Sequence, residues 1–450
     1  MEAQERRVQM IASRTSSITK SIKRLLGIPL ALLVFTHATW AAPVQIIGFE
    51  QGDTGECRSL TAGSGTDATA AAARSGGYGY VSDSLGSGTS TPNCRVGIPG
   101  TTGLPTGEIN QATTYSRFYI NIQTLPGSSE EEFAAIVDTS GAAKAQYRVT
   151  SGGNVKACDS TATCGSAGST TLSTSTWYRI EIQTSTGAGS TAYEIKINGT
   201  SELSGTMSQG TVNVGSLRLG KSTNRNSQQI KYYFDDVLID SAAYPGPGAV
   251  LKMSPNANGS TAEWTAGTGS SDYQEVDEIP TDGDTTYIQK SSAASQTHLV
   301  GLESSASAGI NNTINAVKSF QRCRESAGGV TSATLARIRS GGTNSDSSTL
   351  NGSTSFQNQY RVLDTDPSDA GAWTTGDLDA VEIGASDTAA TSSVRCSTML
   401  MSVDVVATNT PTPTPTNTPT HTPTPTPTPT PTNTPVAGAL RLLPATGVGQ

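Results

Sequence analysis

The stretch Tyr193-Glu194-Ile195-Lys196-Ile197-Asn198-Gly199 sets the reading of this chain. Apolar Tyr193, Ile195 and Ile197 alternate with charged Glu194 and Lys196, and Asn-Gly follows. Strict alternation describes a strand with one buried face, and Asn-Gly is the dipeptide of a tight hairpin turn. Outward from it, Tyr178, Ile180 and Ile182 alternate with Arg179 and Glu181. Phe118, Ile120 and Ile122 alternate with Tyr119 and Asn121. Ser216–Gly220 and Tyr232–Asp240 (YYFDDVLID) read as two further strands. Residues 43–248 contain no helical stretch of useful length, and many half-buried strands joined by Gly/Ser turns define a sandwich.

Composition agrees. The 450 residues carry 34% hydrophobic and 15% charged residues, with 47 glycines and a net charge of −8. Ser, Thr, Gly and Asn suit turns and solvated strand faces, which argues against a helical bundle. The acidic balance argues against nucleic-acid binding, which depends on Lys and Arg neutralising phosphates. The three histidines are His37, His298 and His421. A multi-histidine zinc site is thereby excluded, and His298, within Gln296–Val300, reads as an ordinary strand residue.

Residues 1–42 read as a secretory signal peptide. A basic segment with Arg6, Arg7, Arg14, Lys20, Lys23 and Arg24 precedes the apolar run Leu25–Phe35, and Ala41-Ala42 offers the cleavage site. Eleven apolar residues are too few to span a bilayer, so no membrane span is expected in the mature chain. Export makes the six cysteines (Cys57, Cys94, Cys158, Cys164, Cys323 and Cys396) a disulfide set. Six cysteines allow about 15 pairings. Proximity in sequence favours Cys158–Cys164, with Cys57–Cys94 and Cys323–Cys396 as the natural remaining pairs.

Gly48-Phe49-Glu50, then TWYRIEI, YEIKING, SLRLG and YYFDDVLID, then Tyr244-Pro245-Gly246-Pro247, follow one another in an order that resembles concanavalin-A-like or laminin-G-like jelly rolls. The resemblance covers about 43–248 and implies a carbohydrate- or protein-binding module, since only a minority of that superfamily are glycoside hydrolases. Residues 250–407 read as a second β-sandwich domain, with strands at Leu299-Val300, Leu335–Arg339 and Met399–Val405. The stretches VDEIPTDGDTTYI and AWTTGDLDAVEIGA resemble uncharacterised β-sandwich modules of exported proteins, which implies no assigned activity. The expected fold class is thus all-β: two β-sandwich (jelly-roll) domains followed by a disordered Thr-Pro stalk at 408–436. That stalk holds 10 of the 22 prolines in the 25 residues 411–435. The tail, 437–450, contains Leu443-Pro444-Ala445-Thr446-Gly447, which resembles a sortase sorting motif and would make a sortase a partner. The apolar segment and basic tail of that signal are not matched by Val448-Gly449-Gln450.

Candidate chemistry is limited. Laminarinase-like relatives place two carboxylates on one strand as Glu-x-Asp-x-x-Glu. Here Glu275-Val276-Asp277-Glu278-Ile279-Pro280 puts proline in the place of the second glutamate, so no catalytic residue is assigned. Glu130-Glu131-Glu132 reads as a solvated turn. Glu50 and Asp53 near the first strand, with Asp235 and Asp236 in the last, form a candidate structural calcium set if those strands pair. Asp277, Glu278, Asp282 and Asp284 form a second acidic set in one loop. Tyr78, Tyr80, Tyr115 and Trp177 are candidates for stacking on a sugar ring. The expectation is an extracellular, secreted or cell-surface binding protein, non-enzymatic, that takes a polysaccharide or glycoprotein surface as partner. The alternatives are a structural or adhesive surface or virion-associated protein without sugar binding, and a glycoside hydrolase with unrecognised carboxylates.

Overall fold

The computed structural model describes residues 43–406 apart from 64–65, 98–108, 140, 187–189, 208–212, 223–226, 291–293, 327–331 and 390–392. The signal-peptide, stalk and sorting-motif expectations (1–42, 408–450, with Leu443, Pro444, Thr446 and Gly447) lie outside the described residues.

The fold is all-β, with four antiparallel sheets. The first two are built from β1 (Pro43–Ile47), β2 (Ser59–Thr61), β3 (Asp67–Thr69), β4 (Gly79–Asp83), β5 (Asn93–Val96), β6 (Thr113–Thr124), β7 (Glu131–Asp138), β8 (Ala143–Val149), β9 (Val155–Cys158), β10 (Trp177–Thr186), β11 (Thr191–Ile197), β12 (Thr200–Met207), β13 (Val214–Gly220) and β14 (Lys231–Asp240). One sheet runs β12-β11-β10-β6-β14-β4-β3, with β1 also paired to β14. The facing sheet runs β2-β5-β13-β7-β8-β9. Every strand expected in this region forms, and Asn198 and Gly199, with φ of 51° and 89°, make the two-residue turn between β11 and β12.

The other two sheets use β15 (Gly248–Met253), β16 (Pro255–Ala262), β17 (Thr265–Ala266), β18 (Ile288–Gln289), β19 (Gln296–Leu302), β20 (Ile314–Glu325), β21 (Ala333–Ser340), β22 (Thr343–Asp346), β23 (Leu350–Asn351), β24 (Gln357–Leu363), β25 (Glu382–Asp387) and β26 (Val394–Val406). Their orders are β17-β18-β26-β20-β24, with β15 beside β26, and β16-β19-β25-β21-β22, with β23 beside β21. A single helical turn, α1 (Thr375–Leu378), is capped by a reciprocal Thr374–Asp377 box.

Alternation packs each sandwich around its own core. Phe118, Ile120, Ile122, Ile180, Ile182, Tyr232 and Phe234 meet Phe133, Ile136, Leu217 and Leu219 from the facing sheet. Trp264, Val300, Ile338, Ile383, Met401 and Val403 fill the second. Three disulfides close the loops: Cys57–Cys94, Cys158–Cys164 and Cys323–Cys396. These are the pairings that proximity favours.

The Glu130–Glu132 expectation needs correction. Glu131 and Glu132 begin β7 and are fully buried. Glu132 accepts from Arg218 and Ser222, and Glu131 lies 3.4 Å from the buried Lys221 ammonium. Burial raises both carboxyls, against the pull of these cations. The charges that looked solvated are neutralised by basic residues about 90 positions away.

The two sandwiches pack on each other. Ile46, Leu238, Val250 and Ala316 form a shared apolar cluster. Arg117 of β6 pairs with Asp404 of β26, and Lys318 of β20 pairs with Glu56, all buried. Asn358 donates to the Gly55 carbonyl at 2.6 Å.

Candidate functional site

Two places in the first sandwich combine polar chemistry with geometry. One is a buried acidic knot. Beyond β1 the chain turns at Phe49, in the left-handed region at φ 58°, and drives Glu50 inward. Gly76 (φ 62°) gives it room, since a Cβ there would collide with the Glu50 carboxylate. Gly77 N–H donates to both Glu50 oxygens at 3.0 and 2.9 Å, and Tyr78 N–H at 3.4 Å. In β14 a bulge falls at Asp235-Asp236, where the partner strand changes from β4 to β1, and Asp236 takes φ 55°. Asp235 accepts from the amides of Arg74 (2.7 Å), Ser75 (3.1 Å) and Asp236 (2.7 Å). Asp236 pairs with the Arg74 guanidinium and Ser75 hydroxyl and accepts from Val250 N–H at 2.6 Å.

Burial pushes the Glu50 carboxyl up to about 8, although the Gly77 and Tyr78 amides pull it down. Burial also lifts Asp235 well above the usual carboxylate range, with Asp236 and Glu50 adding to the rise. Both shifts favour the protonated form of these carboxyls.

The calcium expectation was a set of four. Asp53 does not join it: its carboxylate is 3.0 Å from Arg322 of β20, across the contact between sandwiches. Asp236 faces Arg74. Glu50 and Asp235 both accept main-chain amides. Calcium needs six to eight oxygens turned toward one point, whereas these oxygens face N–H and O–H donors. The donor set as arranged does not fit the ion, and among the described residues no three His, Cys, Asp or Glu are grouped to hold a metal. In the second acidic set Glu278 lies near Asp277 and Asp282, and burial followed by these two neighbours raises its carboxyl. Asp284 faces Arg324, and Asp282 accepts from Thr286 at 2.9 Å.

Of the four proposed stacking residues, Tyr80 is misplaced by the sequence reading. It is fully buried, stacked between Phe49 and Phe234 at 5.5 and 5.9 Å, because its alternation phase points into the core. Tyr78 is half-buried and packs on that core. Tyr115 meets Tyr244 edge-on at 5.0 Å. Tyr244 also donates to Glu194 at 2.8 Å, and Gly246 N–H donates to Glu181 at 2.8 Å. The segment around Tyr244–Gly246 thus lies over one end of the outer face of the larger sheet.

The other end of that face holds the second place. Trp177 of β10 pairs in register with Asn121 of β6, and Asn121 with Tyr233 of β14. Tyr178, Ile122 and Tyr232 point toward the core, so Trp177, Asn121 and Tyr233 share the outer face. Strands sit about 4.8 Å apart, which puts the two aromatic residues roughly 10 Å apart with the amide between them. Gln123 donates to Asn121 at 2.7 Å and fixes its side chain. Lys231 lies 5.7 Å from the Tyr233 ring and 3.3 Å from Asp83. Trp177, Tyr233, Gln123 and Lys231 are half-buried. Tyr233, Asn121 and Gln123 were missed in the sequence, where Tyr233 looked like one more strand aromatic. The phase of YYFDDVLID, with Tyr232 and Phe234 inward, was the signal available.

His298 lies in β19, fully buried, and burial lowers its pKa against the raising effect of Asp272, 3.8 Å away. Glu275 accepts amides from Thr268, Ser270 and Tyr287, clamping a loop.

Together these features define an all-β, disulfide-bonded protein of two sandwiches with a polar-aromatic row on one sheet face. No family model matches the chain, and no curated protein matches it either. Among solved structures it is similar to Trypanosoma rangeli sialidase in complex with the inhibitor DANA, at 11% identity over 39% of this chain and 27% of that one, TM-score 0.28. It is also similar to domain 4 of AbnA, a GH43 extracellular arabinanase from Geobacillus stearothermophilus, in complex with arabinotriose, at 15% identity over 46% of this chain and 95% of that one, TM-score 0.30. A third is the alginate lyase AlgAT5 from polysaccharide lyase family 7, at 13% identity over 36% and 78%, TM-score 0.28. Likenesses this slight carry no argument about ligand or activity.

Proposed function

We propose that this is an extracellular carbohydrate-binding protein that holds its ligand without chemical turnover, through the outer face of the larger sheet. The observation that carries the reading is the row Trp177–Asn121–Tyr233. Two aromatic faces offer apolar area for sugar rings, and next to Asn121, 7% exposed, the half-buried Gln123 offers its amide oxygen to hydroxyls. Three disulfides suit an oxidising, extracellular setting. Among the described residues no helix is long and apolar enough to cross a membrane.

The test is a binding screen of the full chain against soluble and insoluble polysaccharides, with reducing ends measured in parallel. Saturable binding is expected, weakened about tenfold by Trp177→Ala or Tyr233→Ala, with no reducing ends released. Undiminished affinity in both variants would overturn the assignment of the site to this sheet face, and no binding to any glycan would overturn the reading in favour of a structural or adhesive surface protein. Release of reducing ends that tracks the protein would favour a hydrolase.

A further inference from the structure

The outer face of the β17-β18-β26-β20-β24 sheet is covered along part of its length. Phe320, Tyr360 and Leu400 are buried there together, with Ile279 packed against them. Beyond them the face is half open and changes character. Arg322 and Arg324 of β20 each place the guanidinium carbon 5.4 Å from the ring of Phe356. Arg395 of β26, in register with Arg324, lies 4.2 Å over the ring of Tyr287. Three arginines and two aromatic rings thus form one patch in a chain of net charge −8. Two carboxylates answer the three cations: Asp53 at 3.0 Å from Arg322, and Asp284 beside Arg324.

Arg395 shares Asp284 with Arg324 and is the more distant of the two. Its Nε donates to Gln289 at 2.9 Å, which fixes the guanidinium plane. Its Nη1 lies 3.9 Å from Asp284, beyond hydrogen-bond distance, and neither Nη1 nor Nη2 donates to a described residue. The side chain is 26% exposed. A guanidinium lying 4.2 Å over a tyrosine ring, with neither terminal nitrogen hydrogen-bonded to a described residue, is matched by the two oxygens of a carboxylate. The half-buried Phe356, against Arg322 and Arg324 on the neighbouring strand, supplies further aromatic surface for the ring that bears the carboxylate.

We infer that this patch on the second sandwich, centred on Arg395 with Tyr287 and Phe356, is a binding site for a uronic-acid-containing polysaccharide. A lone open fork between aromatic faces suits one carboxylate on a ring-shaped ligand. A nucleic acid binds through a run of Lys and Arg that neutralises successive phosphates, whereas Arg322 and Arg324 of this patch are each already held by a carboxylate. The inference is independent of the Trp177–Tyr233 row, because the two sites lie on different sheets of different sandwiches.

The test uses the full chain at physiological salt, titrated with polygalacturonate, neutral dextran and double-stranded DNA. Saturable binding of polygalacturonate is expected, with dextran and DNA at least tenfold weaker. Arg395→Gln is expected to weaken polygalacturonate binding about tenfold or more, with Arg395→Lys failing to restore it, since an ammonium lacks the fork. Phe356→Ala is expected to weaken it as well, and Trp177→Ala to leave it unchanged. Because Arg395→Gln also loses the stack on Tyr287 and the bond to Gln289, its binding is measured well below its own melting temperature, so that loss of affinity is separated from unfolding. No binding of polygalacturonate, full affinity in Arg395→Gln, or equal affinity for DNA would overturn the inference. Loss through Trp177→Ala alone would assign the binding to the other face.

Discussion

The guanidinium of Arg117 and the carboxylate of Asp404 are each fully buried and pair with one another, 287 positions apart in the chain. Arg117 also donates through Nε to the Asp236 carbonyl at 3.1 Å, and Asn315 donates to Asp404 at 2.8 Å. The pair therefore ties the acidic knot of the first sandwich to the last strand of the second. Burial raises the Asp404 carboxyl, and Arg117 opposes this. Burial pulls the Arg117 guanidinium down, and Asp404 with Asp236 outweighs it, so the net effect is upward and Arg117 stays charged.

Removing one partner leaves an uncompensated buried charge, which costs about 3–5 kcal/mol. Arg117→Met or Asp404→Leu alone is expected to lower stability by that amount in denaturant unfolding. The double variant Arg117→Met/Asp404→Leu is expected to recover most of it, because an apolar pair of similar volume replaces a desolvated ion pair. Equal loss in the double variant would mean that the pair's hydrogen bonds to Asn315 and the Asp236 carbonyl matter more than its charge.

The second prediction concerns pH. Glu50 is raised from 4.5 to about 8 in the folded chain, so the native state binds a proton that the unfolded chain has released. Its contribution is fully present below about pH 4.5 and is lost as pH rises through about 8, on the order of 1.4 kcal/mol per pH unit in between. Asp235, also raised, acts with the same sign. The melting temperature should fall between pH 5.5 and 8.5, and Glu50→Gln should flatten that slope. An unchanged slope in Glu50→Gln would show that the carboxyl titrates at its ordinary value.

Calcium provides the third. Asp53 is held by Arg322 and Asp236 by Arg74, leaving Glu50 and Asp235 turned to main-chain amides. The expected result is a melting temperature that differs by less than about 1 °C between millimolar calcium and EDTA, since an ion that binds the native state only weakly stabilises it little. A shift of several degrees that EDTA abolishes would mean that the knot rearranges around an ion, with Arg74 displaced.

Local patterning determined a good deal without any tertiary information. The alternation in Phe118–Ile122, Tyr178–Ile182 and Tyr193–Ile197 determined the strands, and Asn198-Gly199 determined a turn, because side-chain phase and left-handed backbone preference are properties of neighbouring residues. Cysteine proximity likewise anticipated the three disulfides. What lay beyond the sequence was set by which strand sits beside which. Tyr80 and Tyr233 are both strand tyrosines on neighbouring strands, yet one fills the core and the other faces outward. Asp53 reads as a neighbour of Glu50 but answers an arginine 269 positions on, and Glu131 and Glu132 read as solvated but meet cations from β13 and beyond. The Trp177–Asn121–Tyr233 row and the Arg395 patch exist only as registers between strands distant in the chain. Pairing of distant strands depends on the summed burial of whole faces, so only the assembled sheets decided which polar residues are neutralised within the fold and which remain at the surface to meet a ligand.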